Sequence, residues 1–359
     1  MKKYYSTVII ALSISFSAFG YEQVPCWVNN PVINNQIGFI GTANAISIKK
    51  NGSLIASRKR SLLKLIEYYQ YDFAINEVKD ITDDVIKLSD NVRVYFAPSY
   101  IDSQIMYSYA YLIKDGIITA DNIKIDTNKQ CNISTCDFDK CEPAWLCENN
   151  NNSINSVSQI TSNPAHQLQK THDNAQQLIK YLNKSHVDET SYKVKSTGDN
   201  QNWQASKRRS NVDSLGTHIS LLNTHSCSAD NYLFARYSFI SEVEKTTKPY
   251  SVWIKESNLG DRNGVVGIFN GIMADGRFSS AIKFAIKDGL IELAKTKEIN
   301  ISNDYKVTFK KGWYSLSKTT EITSATVSAT LMDLNVTYND SQLVIYAWLL
   351  ENKTKGNTL

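Results

Sequence analysis

The chain has 359 residues, a formal net charge of +4 and 42% apolar residues. That length allows two or three ordinary domains, and with six prolines the composition excludes a collagen-like or wholly disordered chain. So small a charge gives no reason to invoke nucleic acid, whose binders gather basic residues on one face.

Lys2 and Lys3 precede an apolar run over 8–19, and Ala18-Phe19-Gly20 supplies the small residues that a signal peptidase reads. Residues 1–20 are expected to be a signal peptide, cut after Gly20. The run is too short to be preferred as a membrane span and no later segment approaches one, so the mature chain is expected to be exported with no transmembrane segment. Cys26 follows Val24-Pro25 rather than the small residues that precede a lipid-acceptor cysteine.

Residues 21–113 form a first unit. After Trp27, the segment from Ile37 to Ala43 is apolar with Gly38 and Gly41 at positions where a backbone packs closely, and it reads as a strand. Gly52-Ser53 opens a helix with Ile55, Leu62, Ile66 and Tyr69 on its buried stripe, while Arg58, Lys59 and Lys64 are expected to face away. Residues 91–100 alternate as a strand, Asp102-Ser103 turns the chain, and 104–113 returns as a second strand of an antiparallel hairpin. The order is β-α-β-β.

A connector, 114–142, carries Cys131, Cys136 and Cys141, and Cys147 follows. With Cys26 and Cys227 this makes six cysteines in an exported chain, for which disulfides are the default. The steps of 5, 5 and 6 residues fit poorly with the close cysteine pairs of structural zinc sites. Six cysteines allow 15 pairings, and sequence does not choose among them. Bridges here are expected to staple the connector and fix the second unit against the first.

The second unit, 143–243, is a degenerate copy. It opens at Trp145, Asn155-Ser156-Val157-Ser158 replaces the glycine-flanked strand, a helix is expected over 164–183, and a hairpin over 217–224 and 231–240. The polar insertion 196–214, with Lys207-Arg208-Arg209, reads as a long exposed loop, and 149–152 as another. The third unit, 244–359, matches the first. Trp253 opens it, Gly264-Val265-Val266-Gly267 stands where Gly38 to Gly41 stand, and Ile282, Ile286, Leu290 and Leu293 build the helix stripe. Tyr338-Asn339-Asp340-Ser341-Gln342 reproduces the turn Tyr100-Ile101-Asp102-Ser103-Gln104 in four of five residues.

One helix end is written three times. Leu65-Ile66-Glu67-Tyr68, Leu178-Ile179-Lys180-Tyr181 and Leu290-Ile291-Glu292-Leu293 follow Trp27, Trp145 and Trp253 by 38, 33 and 37 residues. The expected fold is α+β: three tandem β-α-β-β domains, each a helix packed on a small antiparallel sheet, rather than one large core. A tryptophan held at the same place in each unit is read as a core anchor before it is read as a sugar-stacking platform.

Candidate chemistry is thin. All five histidines, His166, His172, His186, His218 and His225, lie in the second unit, but His166 and His172 are six residues apart and fall on different helix faces. No nucleophile elbow or phosphate loop is present. No catalytic, metal or cofactor residue is assigned, and no cofactor is expected.

The Pro25-Cys26-Trp27 and Pro143-Ala144-Trp145-Leu146-Cys147 openings, the strand bracketed by Gly38 and Gly41 and again by Gly264 and Gly267, and the helix with Ala281, Ala285 and Gly289 at four-residue steps together resemble the Lpp-twenty lipoprotein family of Gram-negative envelopes. Relatives of that family include outer-membrane-associated flagellar disk and ring components. The chain differs in carrying three copies and no lipid-acceptor cysteine. The resemblance implies a non-enzymatic structural or assembly protein of the periplasm or outer-membrane periphery, partnered by itself or by other envelope proteins. A glycan- or polymer-binding protein using hairpin aromatics is the second expectation, and a metal-dependent enzyme seated among the histidines a minor third.

Overall fold

The first tryptophan opens a short helical turn at the edge of a six-stranded sheet in the computed structural model, which is described over residues 23–33, 36–73, 81–102, 104–114, 127–137, 140, 142–146, 152–159, 163–198, 201–229, 232–239, 248–272, 278–297, 300–309, 314–339 and 342–352. The expected leader, most of the 149–152 tract, much of the connector, and Cys141 and Cys147 lie outside those residues. Among the described residues no helix is long and apolar enough to cross a membrane.

In chain order, β1 (Gln23–Pro25) and α1 (Cys26–Asn29) lead to β2 (Val32–Ile33), β3 (Gln36–Asn44), α2 (Gly52–Tyr69), β4 (Val85–Ser89), β5 (Val92–Phe96), β6 (Tyr100–Asp102) and β7 (Ile105–Lys114). These strands form an antiparallel sheet in the order β2-β3-β7-β5-β4, with β6 also on β7. Alternation decides its two faces: Phe39 and Ala110 join Leu62 and Leu65 of α2 in one apolar cluster, whereas Ile40 and Tyr109 point the other way and pack with Trp27. β8 (Gln130–Asn132) pairs with β1.

Next come β9 (Ser153–Gln159), α3 (Gln167–Asn183), β10 (Ser185–Gly198), β11 (Gln201–Ser214), β12 (Leu222–Ala229) and β13 (Tyr232–Ser238), then α4 (Tyr250–Trp253), β14 (Gly264–Ile272), α5 (Phe278–Lys297), β15 (Asn300–Phe309), β16 (Tyr314–Val327), β17 (Ala329–Asn339) and β18 (Gln342–Glu351). Two three-stranded antiparallel sheets result, β12-β13-β9 under α3 and β14-β18-β17 under α5. The fold is thus a mixture of helices with several small antiparallel sheets.

The remaining strands overturn one expectation. Residues 196–198 end β10 and 201–214 form β11 rather than a loop, and Lys207, Arg208 and Arg209 sit on that strand. The β10–β11 hairpin joins the β15–β16 hairpin along β10 and β16, from Ser185↔Val327 to Gly198↔Tyr314, giving a four-stranded sheet β11-β10-β16-β15. Its root packs on α5 through the buried Val187, Val212 and Val327. Polarity hides this sheet in the sequence because β10, laddered by β11 on one side and β16 on the other, satisfies its backbone without an apolar stripe along its whole length.

The cores do not follow the three expected units. Leu65 lies in one cluster, but Leu178 and Leu290, read as anchors of separate cores, share a single cluster in which α3 packs on α5.

Candidate functional site

Trp27 and Trp253 are 0% exposed. Trp27 stacks on Tyr109 at 5.4 Å, and Trp253 on Trp348 at 5.8 Å with its indole Nε1 donating to Asp333 at 2.8 Å. Enclosed rings of this kind present no face to a sugar. Trp145 is half-buried in a 3-10 turn, Ala144–Leu146, against the His225 ring at 5.7 Å. The glycines touch backbone or ring: a Cβ on Gly38 would meet the Tyr109 ring at 2.1 Å, on Gly41 the Ser57 carbonyl at 1.9 Å, on Gly264 the Ser257 carbonyl at 1.8 Å and on Gly267 the Ala285 carbonyl at 2.0 Å. In the middle sheet, the Ser156 hydroxyl donates to the Thr171 carbonyl of α3 at 2.8 Å.

Among the described residues two disulfides tie the connector down: Cys26–Cys131 joins it to α1, and Cys136–Cys227 joins it to β12.

Three of the histidines meet along a seam between α2 and the α3 region. The Arg60 guanidinium lies 3.2 Å from His166 Nε2, His218 Nδ1 stands 4.0 Å from a Glu67 carboxylate oxygen, and Ser220 donates to the Glu67 carbonyl at 3.2 Å. Burial lowers the Lys64 ammonium to about 8 against the opposing attraction of Asp173, while the amine donates to the Ile40 carbonyl at 3.1 Å. Burial, then the Lys64 charge, lowers His172 to about 4; its ring packs edge-on to Tyr237 at 5.5 Å. His225 is lowered too, by burial and then Arg236, and His186 sits apart on β10 beside Asp188 at 3.4 Å. Among the described residues no group of three histidines, cysteines or carboxylates gathers as a metal site. The seam holds like charges together with partial compensation and pairs no nucleophile with a base.

Sequence did not reveal the buried charges, which include Arg58, Glu189 and Arg236 of β13, nor that Lys64, expected to face away with Arg58, is enclosed. Arg58, expected to face solvent, is buried: its guanidinium donates to the Thr82 and Asp83 carbonyls at 2.6 and 2.9 Å, pairs with Asp84 at 2.6 Å and lies over the Phe96 ring at 4.9 Å. Glu189, 4% exposed at the root of the hairpin sheet, is held by Arg208 and by Lys295 at 2.9 Å, and Arg208 reaches on to Asp288 and Glu292 of α5. The acidic and basic residues spaced three and four apart on α5 were the legible half of that network.

A cavity of about 140 Å³ lies between the face of the first sheet turned away from α2, the beginning of α3, and β12–β13. Tyr100, Asp102, Ile105 and Tyr107 line one side, Gln167 and Leu168 another, and Val28, Asn29 and Ser226 a third. The sequence marks Asp102 only as a turn residue.

Comparison of the chain with protein-family models, with curated proteins and with solved structures finds no match.

Proposed function

We propose that this chain is a non-enzymatic structural or assembly protein of the cell envelope, built from three tandem β-α-β-β units and associated with an outer-membrane flagellar ring or disk. The repeat reading is supported by strand order: in β3-β7-β5, β9-β13-β12 and β14-β18-β17 the strand before the helix and the first of the closing pair flank the last strand. It is supported again by Gly41 on Ser57 and Ser61, matched by Gly267 on Ala285 and Gly289. The resemblance to the Lpp-twenty lipoprotein family points to the envelope, and the disulfides fit an oxidising compartment.

The observation that carries the assembly role is the hairpin sheet. Its outer strands, β11 and β15, each have one neighbour among the described residues, so each offers a row of backbone groups to a partner strand. β11 carries Lys207, Arg208 and Arg209, the kind of charge that blunts an edge, whereas β15 runs on from its bulge at Asn303/Tyr305 as Tyr-Lys-Val-Thr-Phe. β15 is the docking edge in this reading.

Lys306→Pro and Val307→Pro test it. Adjacent residues of an edge strand alternate between facing the ladder and facing outward, so one of the two variants removes only an outward N–H. Native cells are fractionated into soluble periplasm, outer membrane, culture fluid and purified flagellar basal bodies. Recovery of the wild-type protein with outer membrane or basal bodies, lost in the variant that keeps its melting temperature, is the expected result. A wild-type protein found only as free monomer overturns the reading.

A further inference from the structure

Beyond the assembly role, we propose that the 140 Å³ cleft between the first sheet and the α3–β12–β13 region binds a small organic monocation, an amine of roughly ten non-hydrogen atoms, through Asp102 and the rings of Tyr100 and Tyr107. The size follows from the volume: one water needs about 10–15 Å³ of such space, so the cleft takes on the order of ten. It is smaller than the usual site for a drug-sized ligand but of the same make, apolar walls with a few convergent polar groups.

Charge selects the cation. Of the 16 described residues that line the cleft, Asp102 is the one carboxylic acid, and none is lysine, arginine or histidine. No described ion pair or side-chain hydrogen bond involves the Asp102 carboxylate. Outside that lining, Arg60 on α2 donates to the carbonyl of Thr42 from across the sheet, since Gly41, not Thr42, faces that helix, and His166, between the lining residues Pro164 and Gln167, lies 3.2 Å from the same guanidinium. β6–β7 register sets Tyr100 opposite Tyr107 and Asp102 opposite Ile105, so all four share the face that walls the cleft. The two tyrosine rings lie 5.9 Å apart at 38°, and rings beside a carboxylate stabilise a cation through their negative faces. Burial, and then the Asp102 charge, pushes the Tyr107 hydroxyl well above its ordinary range, which keeps it neutral beside the carboxylate.

Two of the other polar groups in the lining have oxygens able to accept hydrogen bonds, as an ammonium requires. Asn29 donates its amide nitrogen to the Asn132 carbonyl at 2.7 Å, leaving its oxygen an acceptor, and Ser226 donates to the Val28 carbonyl at 3.1 Å, leaving its lone pairs. A primary ammonium brings three donors and no acceptor. Both disulfides border the site, since Asn29 follows Cys26 in α1 and Ser226 precedes Cys227.

The probes are 2-phenylethylammonium, its neutral isostere 2-phenylethanol and the anion 3-phenylpropanoate, titrated into the full disulfide-bonded chain by calorimetry and by ¹H NMR. Saturable one-to-one binding of the ammonium, at least about tenfold tighter than the alcohol and with no binding of the anion, is the expected result. Asp102→Asn should weaken the ammonium about tenfold and leave the alcohol unchanged, while Asp90→Asn, at an exposed remote turn, changes nothing. Ile105→Trp fills the cleft with the carboxylate retained and should abolish all binding, which keeps the test decisive even if Asp102→Asn folds poorly. Equal binding of alcohol and ammonium, ammonium binding that survives Ile105→Trp, or no saturable binding below about 10 mM overturns the proposal.

Discussion

Gly41 of β3 lies directly on the carbonyl oxygen of Ser57 in α2: a Cβ there would stand 1.9 Å from that oxygen and 2.4 Å from the Ser61 nitrogen. Helix and strand meet backbone to backbone at this point, and Gly267 of β14 meets Ala285 and Gly289 of α5 in the same manner, at 2.0 and 2.3 Å. Gly41→Ala and Gly267→Ala must each push a helix away from its sheet and are expected to cost roughly 3 kcal/mol. Gly260, at φ +58° with nothing near its Cβ position, is the control, and Gly260→Ala should cost only about 1 kcal/mol of backbone strain. Urea midpoints of the three variants check this, and equal losses would show that the close approach bears no load.

The parts of the fold legible in the sequence were those fixed by local spacing. Glycines three apart bracketed β3, and apolar stripes marked α2, α3 and α5, because close packing and a one-sided core leave a pattern in the chain. The paired insertions left none. β10 and β16 are predominantly polar over most of their length, and what makes them strands is that each finds the other across more than a hundred residues, as in His186↔Thr326. Arg58 was read as solvated for the same reason: its partners, the carbonyls at 82 and 83, are backbone groups of a distant turn that carry no side-chain signature. The cleft around Asp102 depends on where the second helix docks, which a turn motif cannot encode.

Charges placed at the three helix ends distinguish one core from several. Leu65, Leu178 and Leu290 are all buried, so replacement of any by aspartate should cost roughly 4 kcal/mol or more. Leu65→Asp is expected to open the first sheet and leave residues 248–352 resistant to limited proteolysis. Leu178→Asp, in the cluster shared with Leu290, should expose both α3 and α5 to cleavage together. Release of an intact fragment spanning α5 from Leu178→Asp would mean that the α3–α5 contact is dispensable.

Reduction should act unevenly. Cys26–Cys131 and Cys136–Cys227 close loops of 105 and 91 residues, for which the loss of unfolded-chain freedom amounts to about 4–5 kcal/mol each in the chain-entropy picture. Hydrogen exchange after reduction is expected to accelerate first in β1, β8 and β12. β14, α5 and β18, which no described disulfide touches, should keep their protection, and uniform acceleration would contradict this assignment.

The α2–α3 seam predicts a stability profile with two rising segments. His172 is lowered to about 4 from an ordinary 6.5, so between these values the unfolded chain binds the extra proton. Its contribution is complete above pH 6.5 and is lost as pH falls toward 4. Lys64, lowered to about 8 from 10.5, acts alike at higher pH: the unfolded chain again holds more protons, and stability should climb from pH 8 toward 10. Above pH 10 the buried Tyr109 and Tyr237, whose hydroxyls burial pushes up, keep protons that the unfolded chain releases, and the climb reverses. His172→Phe should flatten the acid segment, and Lys64→Met the alkaline one; the second should leave stability at pH 7 unchanged or raised, because a charge enclosed against its preference is gone. Denaturant midpoints taken from pH 4 to 11 read both effects. An alkaline climb that persists in Lys64→Met would assign it to another group and remove Lys64 from the interior of the seam.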